Sequence, residues 1–142
     1  MLIAELLRAK GSDVVTVRPG TTVSELLDRL ARHNIGAVVV AEAGRVAGIV
    51  SERDVVRRLA EQGASLLGRP VSEIMTSAVI TCKTSDTVDA LTVLMTENRV
   101  RHVPVLAADA LVGIVSIGDV VKSRIRQLEL DRQQLEAYIT QG

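Results

Sequence analysis

The sequence predicts an α+β fold: two β-α-β-β-α repeats related by a pseudo-twofold axis, followed by a long C-terminal helix. Three observations predict it. The chain repeats itself at an offset of 65 residues, without a gap from Val14/Val79 through Arg57/Lys122, and roughly a third of the paired positions are identical. Each copy alternates short β-rich runs with stretches of helical periodicity. An apolar periodicity then continues past the second copy, where the first has no counterpart. A unit too small to bury its own core must pack on its twin, and packed twins create paired clefts at their junction.

In the first copy Val14-Val15-Thr16-Val17 reads as a strand, broken by Pro19-Gly20. Thr22-x-x-Glu25 is a capping box, and Val23, Leu26, Leu27 and Leu30 follow at helical spacing until Gly36 ends the helix. Residues 37–41 and 46–50 are strands joined by a turn at residues 42–45, and Ser51 opens a helix with Val55, Val56 and Leu59 inward. In the second copy Val79-Ile80-Thr81-Cys82 is the first strand. Asp86 caps a helix carrying Val88, Leu91 and Met95, and residues 103–106 and 111–115 form the hairpin. Pro104 has no N–H, so its strand should lie at a sheet edge there. Residues 63–70 read as a linker. Residues 71–75 form a short helical lead-in to the second copy, as residues 2–9 do to the first. The units are therefore expected at 1–62 and 71–122, with a helical tail at 123–142. In that tail Val121, Ile125, Leu128, Leu135 and Ile139 approximate a heptad seam, with Arg132 at one seam position. A helix over residues 117–139 would be about 35 Å long, too long to bury on so small a domain, which points to a partner surface.

Composition narrows the function. The apolar fraction is 47%, yet there is no Trp or Phe and one Tyr, Tyr138. A bound nucleobase would have to lie between aliphatic side chains, and the lack of aromatics argues against a stacking platform for single-stranded nucleic acid. Lys+Arg and Asp+Glu balance at 17 each, against the basic excess of a nucleic-acid footprint. The longest apolar runs fall far short of the ~20 residues of a membrane helix. The N-terminus lacks the basic region of a signal peptide. With a single cysteine, Cys82, the expectation is a reduced cytoplasmic protein.

The motif that carries chemistry is Gly-Ile-Val-Ser-x-x-Asp, at residues 48–54 and again at 113–119. Gly48 and Gly113 let another chain segment or a ligand approach the backbone. Ser51 and Ser116 sit at helix starts, where free N–H groups and the helix dipole favour a phosphate. Asp54 and Asp119, one turn on, can accept hydrogen bonds from a vicinal diol such as a ribose. Ser-x-x-Asp is equally a capping pattern that satisfies the helix's own N–H groups.

With Val-Ser-Glu-Ile-Met-Thr at 71–76, Arg-His-Val-Pro-Val at 101–105 and the doubled Gly-Ile-Val-Ser-x-x-Asp, the chain resembles a CBS-domain pair, or Bateman module. It is similar to small stand-alone bacterial CBS proteins. The resemblance spans residues 2–122. It implies adenine-nucleotide binding (AMP, ADP, ATP, NAD(H) or S-adenosylmethionine), a non-enzymatic sensing role, and pairing of two modules into a disc as a homodimer. It also implies two clefts. In cleft one Asp54 and Ser51 take ribose and phosphate. Ser12, Asp13, Val14 and Val15 frame the base, and Gly36, Ala37, Val38 and Arg53 complete the lining. In cleft two Asp119 and Ser116 take those roles. Thr76, Ala78, Val79 and Ile80 frame the base, Arg101 and His102 reach phosphate, and Val103 and Pro104 lie alongside. Because Gly36-Ala37 stands opposite Arg101-His102 in the repeat, cleft two is expected to prefer a mononucleotide such as AMP. Cleft one, roomier at Gly36, is expected to take a bulkier ligand such as NAD(H).

Other signals carry less. Gly63-x-x-x-x-Gly68 is followed by Arg69-Pro70 rather than Lys-Ser/Thr, so it is no P-loop. Two histidines and one cysteine do not assemble a usual zinc site, and no metal is expected. His33 reads as a surface residue and Cys82 as a small core residue. No nucleophile–base pair suggests an enzyme. The leading reading is a nucleotide-binding regulatory module; the alternative is a ligand-free dimerisation or adaptor module that binds a protein target through its C-terminal helix.

Overall fold

The structure, a computed structural model, describes residues 1–141; Gly142, the last residue of the expected tail, lies outside the described residues. The chain runs α1 (Ile3–Lys10), β1 (Thr16–Val17), α2 (Val23–His33), β2 (Ala37–Glu42), β3 (Arg45–Ser51) and α3 (Glu52–Gln62). It continues through β4 (Cys82–Lys83), α4 (Val88–Asn98), β5 (His102–Ala107), β6 (Ala110–Ser116) and α5 (Ile117–Gln141). Each copy makes a three-stranded sheet, β1-β2-β3 and β4-β5-β6, whose short first strand runs parallel to the middle strand of an antiparallel hairpin. The repeat reaches backbone detail. The hairpin registers shift at Val40/Ala41 and at Val105/Leu106, one repeat apart. The C-caps of α2 and α4, Asn34 and Arg99, are both left-handed, at φ 50° and 55°.

Several local expectations change. β1 and β4 are two residues each. Val14, Val15, Val79 and Ile80 leave the ladder before it begins, because the parallel pairing starts only at Thr16↔Val39 and Cys82↔Val105. Asn34, not Gly36, ends α2: it adopts the left-handed conformation that closes the helix. Thr87, not Asp86, caps α4, with its hydroxyl accepting from the Ala90 N–H; the Asp86 carboxylate instead accepts from the Lys83 N–H in the preceding turn. Within residues 63–70, the segment between the copies, Gly63–Gly68 forms a 3-10 helix whose Leu66 is fully buried. β5 is the middle strand of its sheet, but its β4 ladder covers only Val105 and Leu106, so Pro104 lies where β5 has a partner on one side alone.

The lead-ins are exchanged. The first, Met1 to Ile3, bonds to the start of α4 (Ile3 N–H to Asp86 O, Val88 N–H to Met1 O), while the second bonds to the start of α2 (Val23 N–H to Arg69 O, Val71 N–H to Thr21 O). The cores follow. Ile3, Leu6 and Leu7 of α1 pack with Leu91, Met95, Val103 and Val115 of the second copy. Leu66, Val71 and Ile74 pack with Val23, Leu26, Val38 and Val50 of the first. Each core is thus completed by the chain that leads into the other copy. Leu7 and Met75 are the matching plugs. A Cβ on Gly113 would stand 2.7 Å from Leu7 Cδ2, and one on Gly48 2.5 Å from Met75 Sδ. The glycines of the repeated motif therefore make room for chain, not for a ligand. β3 and β6 meet between the copies, and two cavities open there.

Candidate functional site

The first cavity, about 310 Å³, is built at the start of α3. Ser51, the last residue of β3, caps that helix: its N–H and hydroxyl donate to Asp54 Oδ2 at 2.8 and 3.1 Å, and its oxygen accepts from the Asp54 N–H at 3.4 Å. The capping reading of Ser-x-x-Asp therefore holds. Those bonds to the Asp54 carboxylate all fall on Oδ2, and Asp54 forms no ion pair among the described residues. Gly36 and Ala37 form one wall and Ile49 the floor. The opposite wall comes from the second copy: Thr76, Ala78, Val79 and Ile80, then Arg99, Val100, Arg101 and His102. Thr76 is held there because it adds to the free edge of β3, exchanging two backbone hydrogen bonds with Ile49 at 2.9 and 3.0 Å. The charged lining is Arg53, Arg99 and Arg101 against Glu52 and Asp54. Cations thus outnumber carboxylates, and most of the uncharged lining is aliphatic, with Ser51, Thr76 and His102 its polar members.

The second cavity, about 330 Å³, is built at the start of α5 and lined by Ser116, Asp119 and Ile114 with Asp13, Val15, Gly36, Ala37 and His102. Ser116 and Asp119 cap α5 as their counterparts cap α3: the Ser116 N–H donates to Asp119 Oδ2 at 2.8 Å and the Asp119 N–H to Ser116 Oγ at 3.1 Å. Here the carboxylate has a cation. Lys10 Nζ lies 2.6 Å from Asp119 Oδ2 and 2.6 Å from the Ile114 carbonyl oxygen. Partial burial by itself would raise the Asp119 pKa. The Lys10 hydrogen bond, the Ser116 N–H and the Lys10 charge outweigh it and hold the carboxyl below its ordinary value. His102 lines both cavities, and burial pushes its imidazole below its ordinary pKa, against the pull of Asp119 and with the push of Lys10 and Arg101. Cys82 is buried in the second core; burial, then the Asp86 charge, push its thiol up to about 11, so it is not a ready nucleophile.

The structure regroups the expected clefts. Ser51, Asp54 and Arg53 share a cavity with Thr76, Ala78, Val79, Ile80 and Arg101, while Ser116 and Asp119 share one with Asp13 and Val15. The cause is the exchange of lead-ins: each base-framing segment follows a lead-in that crosses to the other copy. Gly36, Ala37 and His102 belong to both cavities. Val38 and Val103 line neither, being fully buried on the core face of their strands. Pro104 is buried within β5. Ser12 and Val14 also line neither cavity. The near-equal volumes remove the argument that a roomier cleft one suits a dinucleotide. Three charged lining residues escaped the sequence reading: Arg99, Glu52 and Lys10. Arg99 was in reach, because its repeat partner Asn34 stands just past a helix; Lys10 was not, since it belongs to no shared motif.

No helix of the described residues is long and apolar enough to cross a membrane. The CBS domain family matches residues 5–61 and 71–126. The chain is 35% identical to the CBS domain-containing protein CBSX3, mitochondrial, of Arabidopsis thaliana, covering 99% of this chain and 72% of that protein. Among solved structures it is 49% identical to a CBS-domain-containing protein of Agrobacterium tumefaciens, with TM-score 0.84 over 87% of this chain and 99% of that one. It is also 25% identical to the CBS domain pair of protein MJ0100, solved in complex with 5′-methylthioadenosine and S-adenosyl-L-methionine, with TM-score 0.80 over 89% of this chain and 98% of that one. Two matched segments, two repeated sheets and two clefts at their junction have one explanation: the chain belongs to the CBS domain family and carries the domain as a tandem pair.

Proposed function

We propose that this CBS pair is a non-catalytic regulatory module, working in the cytoplasm, that binds an adenine nucleotide in the Ser51–Asp54 cavity. One observation carries the reading: a single cavity joins a carboxylate at a helix start, aliphatic walls and an excess of arginine. The ribose diol donates to Asp54. The base lies against Val79, Ile80 and Ile49, aliphatic because the chain offers no aromatic partner. The phosphate meets Arg101, with Arg53 and Arg99 beside it. The adenosine-containing ligands of the MJ0100 pair support the ligand class. Among the ligands expected, AMP, ADP and ATP suit the arginine-rich wall best; NAD(H) has no size advantage in either cavity.

Calorimetric titration of dialysed protein with AMP, ADP, ATP, NAD(H) and S-adenosylmethionine tests the reading. AMP binding is expected, and Asp54→Ala should weaken it by about tenfold or more, the worth of a hydrogen bond to a charged group. The reading fails if no ligand binds at millimolar concentration, or if Asp54→Ala leaves affinity unchanged.

A second reading rests on α5. Its seam residues Ile125, Leu128, Leu135 and Ile139 are all more than half exposed. This face suits self-association into a homodimer or capture of a protein target, and it can coexist with nucleotide binding.

A further inference from the structure

The two cavities differ most at their carboxylates. Among the described residues Asp54 forms no ion pair, whereas Asp119 is bonded to Lys10. The difference has a cause in chain length. Leu7 and Met75 are equivalent plugs, but seven positions separate Leu7 from Val14 and four separate Met75 from Val79. After Met75 the chain leaves its helical turn at once, and Thr76 satisfies the β3 edge with backbone groups. After Leu7 the longer segment lets α1 run on to Lys10. There a side-chain ammonium, rather than backbone, takes the matching β6 carbonyl, Ile114, and Asp119 with it. The Lys10 and Asp119 side chains are 27% and 19% exposed, so solvent screens the pair only in part.

We propose that Lys10 is a built-in latch on the Asp119 cavity, bonding one oxygen of the carboxylate that a ribose diol needs and offsetting its charge, and so making this the weaker of two nucleoside sites. The proposal rests on the diol-binding role assigned above to the repeated aspartates. A diol at Asp119 meets a carboxylate whose Oδ2 already accepts from the Ser116 N–H and from the 2.6 Å charge-assisted bond of Lys10, so it is left Oδ1 alone, on a carboxylate whose charge the ammonium offsets. The same diol at Asp54 competes with no cation. Lys10 thereby decides how many sites the pair offers a nucleoside.

The test uses adenosine, whose lack of charge keeps the loss of a lysine from acting on a phosphate. In an Asp54→Ala background, which isolates the Asp119 cavity, Lys10→Met should tighten adenosine binding by about tenfold or more. Adding Asp119→Ala should abolish the gain. Unchanged or weakened binding on Lys10→Met would overturn the latch. A ligand-free readout separates the two ideas. By carbon-13 NMR the Asp119 carboxyl should titrate at higher pH in Lys10→Met than in the parent chain and stay low in Lys10→Arg. If Lys10→Met leaves that titration unmoved, the latch is wrong whatever binds. If it moves but adenosine binds no variant, the diol role of the aspartates fails and takes the latch with it.

Discussion

Gly48 and Gly113 occupy the same place in the repeat yet face different neighbours. A methyl group at Gly48 would meet Met75 Sδ at 2.5 Å and the Thr76 carbonyl oxygen at 2.9 Å, and that carbonyl is fixed by the two-bond bridge to Ile49. At Gly113 its three nearest neighbours would all be Leu7 side-chain atoms, Cδ2 at 2.7 Å, Cδ1 at 3.0 Å and Cγ at 3.4 Å, with no backbone atom among them. Gly48→Ala should therefore destabilise by about 2–3 kcal/mol and Gly113→Ala by about 1 kcal/mol, read as the difference in urea midpoint at constant slope. Equal losses would show that the Thr76 bridge yields as easily as a leucine methyl. The sequence said that these positions needed glycine, since both copies keep it within an otherwise apolar run. It did not say whether chain or ligand made the approach, because the approaching segment lies 27 residues beyond Gly48 in one case and 106 before Gly113 in the other. The aspartates are similar. Their diol-compatible placement is legible in the motif, whereas the lysine on one of them comes from the opposite end of the chain.

At the scale of elements, what local chemistry governs was legible. Strand and helix order followed from β-branched runs and helical spacing, and Thr22 caps α2 by accepting from the Glu25 N–H, one half of the expected capping box. The errors lie where two local signals competed or a neighbour decided. Asp86 and Thr87 both suit a cap, and the match of Thr87 to Thr22 one repeat earlier would have resolved them. β1 and β4 were overestimated because a β-rich run forms strand only where a partner strand lies beside it. The hairpin turns give a test. Ala43-Gly44 and Ala108-Asp109 each place two residues at positive φ (53° and 78°; 50° and 65°), the geometry that favours Asn-Gly. Replacing Ala108-Asp109 by Asn-Gly should raise stability by about 1 kcal/mol, since alanine is strained in that region. An unchanged or lower denaturation midpoint would count against the turn geometry.

For the whole molecule, the exchanged lead-ins decide both the cores and the make-up of the cavities. Because each core is finished by the other copy's approach, neither copy holds a complete core of its own, and the Ser51–Asp54 cavity takes its walls from both. A ligand in it touches the two copies together and can bias their relative tilt, provided that it binds one arrangement more tightly than the other. α5 is the element on which such a tilt would be read. If its apolar seam carries an association, Leu128→Asp with Leu135→Asp should lower the molecular mass in sedimentation equilibrium while leaving the AMP affinity of the Asp54 cavity unchanged. Loss of AMP binding in that variant would instead tie the seam to the cavity. The sequence by itself determined the duplicated α+β architecture, the repeated Ser-x-x-Asp helix starts, the aliphatic nature of any base-binding wall and the long tail, since these depend on residue type and short-range spacing. Only the tertiary structure decided which segment completes which core, that Asp54 shares its cavity with Arg101, and that Lys10 lies on Asp119. Each of these is a contact across the pseudo-twofold junction, between residues whose separation along the chain carries no periodic signal.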